Sequence, residues 1–378
     1  MTKQEFLSQR EIWQLVKLSE IFISSYSADQ MALTKHTGSE IVGIVSVVPK
    51  ETEDNLELDL LTVEERQALV NHTGIRFRRV APEKTTIRDL FERSVQLLLE
   101  KTGWEKDSID VLICVTQSPE MVIPSVSCRL HGDLELSGHT MCFDINSGCS
   151  GFVYGLNVIS GLLSGIASKN GRAILCCGDL STHLISSSDK SVRPIFSDGV
   201  SAIAVERLSG AAEITGYYNL ETDGKGQHAI EIQPIGNDSG AMRLNGIDVF
   251  GYSVKLVPRN IRELLSFSGH SMDFPDLFVF HQANKLINES IRRQLSVAGE
   301  KVPYSISEYG NTASASIPLT LGTIWKTHRP ESGWILISGF GVGFSAASAL
   351  IVLIRSFVKH RKSIEVGSTC KKPNDRNG

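Results

Sequence analysis

The sequence predicts a mixed α/β protein made of two halves that follow one plan. Short apolar runs of strand length alternate with longer segments of helical periodicity, which is typical of strands buried on both faces by helices. The chain has 378 residues, of which 41% are hydrophobic. It can therefore form a large core and two domains of ordinary size.

The first half contains four apolar runs and two helix starts. The runs predict buried strands at residues 109–117, 141–146, 173–177 and 201–206. Thr85 or Thr86 is a candidate N-cap for a helix whose apolar side chains recur at helical spacing from Ile87. The Pro124-Ser125 pair predicts the start of a second, short helix.

The second half repeats this alternation. Strands are predicted at 276–281, 334–338 and 345–354, and helices at 284–297 and 314–328. Pro258 interrupts a helical pattern over 249–267, where we expect a kink or a break. Loss of the apolar pattern at 208–212 marks the linker, so the halves are predicted as 38–208 and 209–356.

Both ends fall outside these halves. Residues 1–37 include apolar side chains spaced for an amphipathic helix, which could dock on the protein or cap a dimer; alternatively, Met31 is the translation start and the segment is not native. The basic tail, 357–378, is predicted to be disordered.

Composition limits the function classes. The net charge of −4 argues against a nucleic-acid partner, and no apolar run reaches the ~20 residues that cross a bilayer. Seven cysteines spread over a long chain suggest reduced thiols rather than a disulfide framework. With no secretory signal in the N-terminal sequence, we expect a cytoplasmic protein.

Cys149 is the strongest candidate nucleophile. It lies between an apolar strand and a helical pattern, in the run Ser147-Gly-Cys-Ser-Gly151. A helix N-terminus lowers the pKa of a nearby thiol, and the flanking glycines leave the sulfur reachable. The alternative is a buried structural cysteine, a common fate of free cysteines.

A nucleophilic cysteine needs a histidine and a polar orienting group nearby in space. His281 ends an apolar strand, and Asn311 lies in a turn before another helix. Either residue alone has an ordinary structural explanation, a satisfied strand-end histidine or a turn asparagine.

Seven ordered motifs show that the chain, from about Gly38 to Arg355, resembles β-ketoacyl-acyl-carrier-protein synthase III and its thiolase-superfamily relatives. They are HTGIRFRR (72–79), NSGCSGFVYGL (146–156), FSDGVSAIAVE (196–206), NGIDVF (245–250), FHQAN (280–284), YGNTASASIP (309–318) and GFGVGFS (339–345). The resemblance implies a duplicated five-layer α-β-α-β-α fold of two pseudo-symmetric halves, and a homodimer.

The resemblance also implies an acyltransferase that needs no metal or redox cofactor. Cys149 would accept an acyl group, with an oxyanion hole at the backbone N–H groups of Cys149 and Val342. His281 and Asn311 would then stabilise the enolate formed when a malonyl thioester loses carbon dioxide. An acyltransferase that moves the acyl group to an alcohol or amine is the alternative.

Further residues are assigned by the same resemblance. Asn284 would order the histidine and a water molecule, while Phe196 and Phe250 would line the acyl pocket or serve as ordinary core aromatics. Ile123 matches the position from which one subunit caps its partner's pocket, and an aliphatic residue there leaves more room than a phenylalanine.

The surface that meets CoA or an acyl carrier protein departs from the family pattern. The tryptophan and arginine that commonly clamp adenine correspond to Ala68 and His72, and a second arginine corresponds to Lys190, which loses planar stacking. We therefore expect a carrier-protein donor as an alternative to CoA thioesters. Arg76, Arg78 and Arg79 are candidates for this surface, unless they form a solvated basic edge.

Other reaction classes fit less well. A biosynthetic thiolase needs a second cysteine in the late glycine loop, and GFGVGFS has none. A hydroxymethylglutaryl-CoA-synthase-like enzyme needs a glutamate base, for which Glu120 is nearly in place but out of register. A non-enzymatic relative would be expected to lose Cys149 or His281. Fatty acid initiation and a specialised polyketide or lipid pathway both remain open.

Overall fold

The computed structural model describes residues 32–167, 170–207, 215–232, 241–325 and 333–353. Its strands are β1 Ala32–Thr37, β2 Ser39–Val47, β3 Thr52–Asp54, β4 Phe77–Arg79, β5 Val111–Val115, β6 Met141–Ile145, β7 Arg172–Asp179, β8 Gly199–Arg207, β9 Thr215–Thr222, β10 Ile230–Ile232, β11 Met242–Leu244, β12 Leu277–Phe280, β13 Trp334–Gly341 and β14 Ser345–Val352. Its α-helices are α1 Val63–Thr73, α2 Ile87–Thr102, α3 Val126–Asp133, α4 Gly151–Gly165, α5 Gly246–Ser268, α6 Lys285–Gln294, α7 Ile306–Tyr309 and α8 Ser316–Ile324.

Two five-stranded sheets form the frame. The first has the strand order β2-β8-β7-β5-β6, and the second has the order β1-β9-β14-β13-β12. In the first sheet β5 is parallel to β6 and β7, and in the second β12 is parallel to β13. The other pairings within these two sheets are antiparallel. The two sheets therefore repeat one mixed plan.

Helices α4 and α8 lie between the two sheets. Their apolar side chains, such as Phe152 and Ile317, share one buried cluster with side chains from both sheets, such as Ile113 and Val279. The outer face of the first sheet is covered by α2 and α3, and that of the second by α5 and α6. This gives the five layers α-β-α-β-α, so the predicted fold class is confirmed.

Most predicted elements are present within a few residues of their expected bounds, and Thr86 caps α2 with a complete capping box. A kink or a break was predicted at Pro258, and the break is wrong, because α5 continues through the proline from Gly246 to Ser268. Residues on both sides of it, including Val254 and Ile261, are buried, and their packing holds the helix together.

Strand β1 was not predicted. Residues 32–37 pair antiparallel with β9 in the second sheet, so the last part of the expected extension belongs to the fold. The helix predicted nearer the N-terminus, the linker at 208–212 and the tail from 357 lie outside the described residues. None of the helices described here is both long and apolar enough to cross a bilayer.

Candidate active site

Cys149 lies in the tight turn between β6 and α4, two residues before the helix begins. Gly151 N donates to Gly148 O at 2.7 Å, which closes this turn. Ser150 Oγ lies 2.7 Å from Ser345 Oγ of the second half and ties the turn across the molecule. The Cys149 side chain is nearly enclosed, with 5% of the residue exposed.

Burial and, to a lesser extent, the negative charge of Asp179 together raise the pKa of the Cys149 thiol to about 12, while the cysteine's own backbone N–H acts in the opposite direction. The net lowering expected from the helix N-terminus is not found, because burial outweighs the effect of the backbone N–H. The effect of the helix end is local, whereas the loss of hydration depends on the distant chain segments that cover the sulfur. The sulfur is held as a neutral thiol at neutral pH.

Two glycines of β13 let the second half approach this sulfur. A Cβ atom on Gly341 would stand 3.2 Å from Cys149 Sγ, and one on Gly339 would stand 2.6 Å from Cys149 O. Gly341 also has a φ of +156°. Side chains at these positions would displace the cysteine, so the glycines fix how closely the two halves meet.

His281 follows β12 and is buried. Its backbone N–H donates to Ser338 O at 2.8 Å, which places it beside Gly339 at the end of β13. Its ring meets Phe340 edge-on, with the centroids 5.5 Å apart. Cys149 and His281 thus converge on consecutive residues of one strand.

Burial lowers the pKa of His281 to about 3, although a hydrogen bond with the Ala313 backbone opposes this shift. The imidazole is therefore neutral at neutral pH. Nδ1 lies 2.7 Å from Ser316 Oγ. The same hydroxyl oxygen accepts a hydrogen bond from Gln282 N at 3.3 Å. The Ser316 hydroxyl proton is then available to Nδ1, which favours the tautomer with the proton on Nε2.

Asn311 reaches the same region from the other side. Its backbone N–H donates to Ile195 O at 3.1 Å, and its carbonyl accepts from Ser197 N at 2.9 Å, so it is bridged to Phe196. Asn311 Oδ1 accepts a hydrogen bond from Ala313 N at 2.9 Å, which leaves the Nδ2 group as donor. Ala313 therefore links Asn311 to His281.

Sequence reasoning missed the carboxylate of Asp179, which is buried at the end of β7. Its Oδ1 accepts from Gln117 N at 2.6 Å and from Thr116 Oγ1 at 3.0 Å, while no described residue bonds its buried Oδ2. The Gln117 side chain in turn lies against Gly148, the residue before the cysteine. Burial raises the pKa of Asp179 to about 6, against the effect of these hydrogen bonds.

Three further residues contact the cysteine turn, the start of α6 and the His281 backbone. Val342 lies against the cysteine turn, with Cγ2 3.1 Å from the position of a Cβ on Gly148. Asn284 is the N-cap of α6, and its Oδ1 accepts from Ile287 N at 2.8 Å. Asn288, which the sequence did not single out, donates from Nδ2 to His281 O at 3.0 Å.

The three predicted pocket residues have different environments. Phe196 is buried and Phe250 is half-buried, and both belong to the cluster beneath the second sheet. Ile123 is 82% exposed on the loop before α3. The two aromatics are thus close to the protein interior, whereas Ile123 faces outwards.

The candidate basic surface is only partly at the surface. Arg76 is exposed and pairs with Asp54 at 3.2 Å, and Lys190 lies 3.9 Å from Glu65 at the start of α1. Arg78 is 1% exposed. It bonds Glu53, Asn55 and Phe196 O, so the prediction that it contacts a carrier or CoA is corrected: it holds the antiparallel pair β3–β4 against Phe196.

Glu120 forms ion pairs with two arginines. Its carboxylate lies 3.1 Å from Arg129 and 3.8 Å from Arg88, which neutralise it. This pairing gives no support to Glu120 as the base of a hydroxymethylglutaryl-CoA-synthase-like site. In the described part of the chain, His, Cys, Asp and Glu residues form no group of three or more that could hold a metal ion.

Family models of 3-oxoacyl-[acyl-carrier-protein] synthase III match residues 143–224, and models of its C-terminal part match residues 265–353. The chain is 32% identical to β-ketoacyl-[acyl-carrier-protein] synthase III of Lactobacillus helveticus, covering 82% of this chain and 98% of that protein. A solved 3-oxoacyl-(acyl-carrier protein) synthase from Burkholderia xenovorans superimposes with a TM-score of 0.81 at 30% identity, over 86% of this chain and 97% of that one. A priming β-ketosynthase of a polyketide pathway gives a TM-score of 0.76 at 26% identity, covering 84% and 97%.

Proposed function

Because this chain belongs to the 3-oxoacyl-[acyl-carrier-protein] synthase III family, we propose that Cys149, His281 and Asn311 carry the two half-reactions of its condensation. The reaction joins an acyl thioester to a malonyl thioester with loss of carbon dioxide and gives a β-ketoacyl thioester. The observation that carries the assignment is the convergence of Cys149 and His281 on Ser338–Gly341 of β13.

In the first half-reaction the Cys149 sulfur attacks the carbonyl carbon of the acyl thioester. The S–H proton passes to the departing thiolate, which leaves as a thiol. The negative oxygen of the tetrahedral intermediate accepts hydrogen bonds from the Cys149 and Val342 N–H groups. Each such donor is worth about 3 kcal/mol.

In the second half-reaction the malonyl thioester loses carbon dioxide and leaves an enolate. The negative oxygen of the enolate accepts hydrogen bonds from His281 Nε2 and Asn311 Nδ2. A neutral imidazole suits this role, because the low pKa of His281 keeps a single N–H in a fixed tautomer at neutral pH. The enolate carbon then attacks the acyl-cysteine, the Cys149 thiolate leaves, and a proton taken up from solvent restores the thiol.

The groups that carry the two thioesters are assigned only by class. We propose an acyl carrier protein as one partner, with CoA thioesters as alternative donors, since Ala68, His72 and Lys190 replace the residues that would clamp adenine. The proposed chemistry uses only side chains and backbone amides of this chain, without a metal or redox cofactor. It serves fatty acid initiation or a specialised polyketide or lipid pathway, and free thiols at the six described cysteines favour a cytoplasmic location.

A homodimer is the proposed assembly. Met121, Val122 and Ile123 form consecutive exposed apolar positions, at 42%, 90% and 82% exposure. A second copy would bury them and bring Ile123 to its partner's pocket. Sedimentation should give a dimer at micromolar concentration, and a monomer there would contradict this assembly.

The nucleophile is tested by intact-protein mass spectrometry after incubation with acyl-CoA and acyl-carrier thioesters. Wild-type protein should gain one acyl group, and the Cys149→Ala variant should gain none. Persistent acylation of that variant would remove Cys149 from the reaction. The acyltransferase alternative is separated by carbon dioxide release from a malonyl thioester, which only the condensing enzyme performs.

A further inference from the structure

Arg78 is a buried arginine whose three side-chain nitrogens are all bonded. Nε donates to Asn55 Oδ1 at 3.3 Å, Nη1 donates to Phe196 O at 3.1 Å, and Nη2 is paired with Glu53. Burial lowers the pKa of this guanidinium, and the negative charge of Glu53 opposes that shift. Because the guanidinium fork donates in fixed directions, these three partners set its position within the protein.

The backbone carbonyl groups of segment 194–197 accept hydrogen bonds from two of these side chains. Asn55 Nδ2 donates to Pro194 O at 2.8 Å, and Arg78 Nη1 donates to Phe196 O. Asn55 is itself bonded to Arg78 Nε, so the guanidinium fixes both contacts. The segment is therefore attached to the β3–β4 pair at alternate residues.

The same segment holds Asn311 through its other backbone groups. Asn311 N donates to Ile195 O at 3.1 Å, and Ser197 N donates to Asn311 O at 2.9 Å. These two bonds form the parallel bridge between Phe196 and Asn311. Residues 194 and 196 are thus bonded to the Arg78 side, whereas residues 195 and 197 are bonded to Asn311.

Arg78 also lies against Gly310, the residue before Asn311. A Cβ on Gly310 would stand 3.5 Å from Arg78 Cγ and 3.2 Å from Ser197 Cβ. Gly310 has a φ of +59°, a left-handed conformation that favours glycine. The turn that presents Asn311 is therefore packed directly against the arginine side chain, in addition to being bonded to it through segment 194–197.

We propose that Arg78 is a positioning residue for the condensation, which holds Asn311 where its Nδ2 group donates to the enolate oxygen. The proposal rests on the proposed function, in which Asn311 acts in the second half-reaction. Asn311 Oδ1 is bonded to Ala313 N within the same turn, so a shift of the turn moves the Nδ2 donor with it. A displacement of about 1 Å at a reacting group can cost a hundredfold in rate.

Cys149 is placed by different contacts. Its turn is closed by its own backbone, and its sulfur lies against Gly341 of β13. The contacts of Arg78 lie on the Asn311 side instead. Their loss should therefore slow the second half-reaction and leave the first at its normal rate.

The test is Arg78→Lys, which keeps the positive charge beside Glu53 but cannot donate to Asn55 and Phe196 O together. Carbon dioxide release from a malonyl thioester should fall at least tenfold, while Cys149 gains its acyl group at the wild-type rate. Glu53→Gln is a milder variant at a partly exposed residue, with 36% of its side chain accessible. It should lower carbon dioxide release about threefold and leave acylation unchanged.

The matched control is Arg172→Lys. Arg172 is likewise a partly enclosed arginine, bonded to Glu206 at 2.9 Å and to Ser108 at 3.0 Å, and these partners belong to the first sheet and its edge. Both half-reactions should keep their wild-type rates in this variant. Unchanged carbon dioxide release in both Arg78→Lys and Glu53→Gln would overturn the proposal, and so would equal slowing of the two half-reactions in a folded variant.

A double-mutant cycle with Asn311→Ala separates positioning from a general loss of structure. If Arg78 acts through Asn311, Arg78→Lys should add less than about twofold to the loss that Asn311→Ala already causes. Losses that multiply would show that Arg78 acts independently and would overturn the proposal. The same cycle with Glu53→Gln decides the matter if Arg78→Lys does not fold. Full carbon dioxide release by Asn311→Ala alone would instead refute the proposed function of Asn311, so the two failures are distinguishable.

Discussion

The Nδ1 atom of His281 lies 2.7 Å from the hydroxyl oxygen of Ser316, the first residue of α8. This hydroxyl also accepts from the backbone N–H of Gln282, so its own proton points to the ring. Ser316 thereby fixes both the tilt and the tautomer of the imidazole, from the helix that lies between the two sheets.

Ser316→Ala should slow condensation while leaving acylation of Cys149 nearly unchanged. Loss of one hydrogen bond of about 1.4 kcal/mol corresponds to roughly tenfold in rate, because the enolate then meets a less well oriented N–H group. Acyl-enzyme formation and carbon dioxide release are measured separately. Ser314→Ala is the control, since this buried serine donates only to Val115 O at 3.4 Å and should retain both rates.

Equal slowing of both half-reactions in Ser316→Ala would indicate a general loss of structure instead. Circular dichroism and the urea midpoint distinguish that case. A selective effect on carbon dioxide release is the signature of a residue that acts through His281.

Asp179→Asn should make the Cys149 thiol more reactive at a given pH. The carboxylate's negative charge opposes thiolate formation, so an uncharged amide of the same shape should lower the thiol pKa. The rate of alkylation by iodoacetamide, followed from pH 7 to 10, should rise by about threefold for each half unit by which the pKa falls.

The control for this effect is Asp198→Asn. Asp198 is also buried and accepts from Thr182 and Ala81, but its charge is not among the causes of the Cys149 shift. Its alkylation profile should match that of the wild type. An unchanged profile in Asp179→Asn would show that the carboxylate acts only by holding Gln117.

Periodicity in the sequence was enough to predict four strands of the first sheet, three of the second and the main helices, because buried strands and amphipathic helices leave local patterns. It did not predict β2, β9 or β1, the last of which is a half-buried edge strand whose partner β9 lies in the other half of the chain. The sign of the Cys149 pKa shift was also wrong. The sequence next to Cys149 shows only that a helix begins there. The burial of the cysteine comes from Gly339 and Gly341, which are distant in sequence.

The catalytic candidates could be predicted from sequence motifs. The residues that position them could not. Ser316, Asn288 and Asp179 act through contacts that exist only after folding, and a serine or asparagine in a helix carries no local sign of its partner. Arg78 shows the opposite error. The basic residues around it suggested a solvent-exposed binding surface. Side chains alternate between the two faces of β4, however, and this arginine points into the protein.

Folding stability should depend on His281 in mild acid. Its pKa is about 3 in the folded protein, whereas the reference value is 6.5. Between these two pH values the unfolded chain binds a proton at this histidine and the folded chain does not. The stability contributed by the neutral ring is present above pH 6.5 and is lost as the pH falls towards 3. Between pH 7 and pH 5 this amounts to about 2 kcal/mol.

Urea unfolding at the two pH values measures this loss. His281→Asn removes the titrating ring, so the variant should lose about 2 kcal/mol less than wild type over the same interval. Any constant destabilisation of the variant cancels in this difference. Identical losses in the two proteins would mean that His281 is protonated in the folded state.

Gly341→Ala should block acylation of Cys149. The new Cβ would stand 3.2 Å from the sulfur, at a residue whose φ of +156° disfavours any side chain. Acyl-enzyme formation should fall at least a hundredfold, because about 3 kcal/mol of strain at the sulfur would raise the activation barrier by a similar amount. Gly161→Ala, in the helix that follows Cys149, is the control: its Cβ would meet only His36 at 3.5 Å, and full activity is expected.

Ile123→Phe should shift the enzyme towards shorter acyl groups. If Ile123 enters the partner's pocket in the proposed dimer, a larger ring there would fill the end of the space that the acyl chain occupies. Rates of acyl-enzyme formation across a series of acyl thioesters should fall for long chains and stay nearly constant for short ones. The control is Val122→Phe, because Val122 is the more exposed neighbour, at 90% against 82%, and has no predicted place in the pocket. A uniform loss over all chain lengths, or the same shift in both variants, would remove Ile123 from the pocket and assign it to the dimer surface alone.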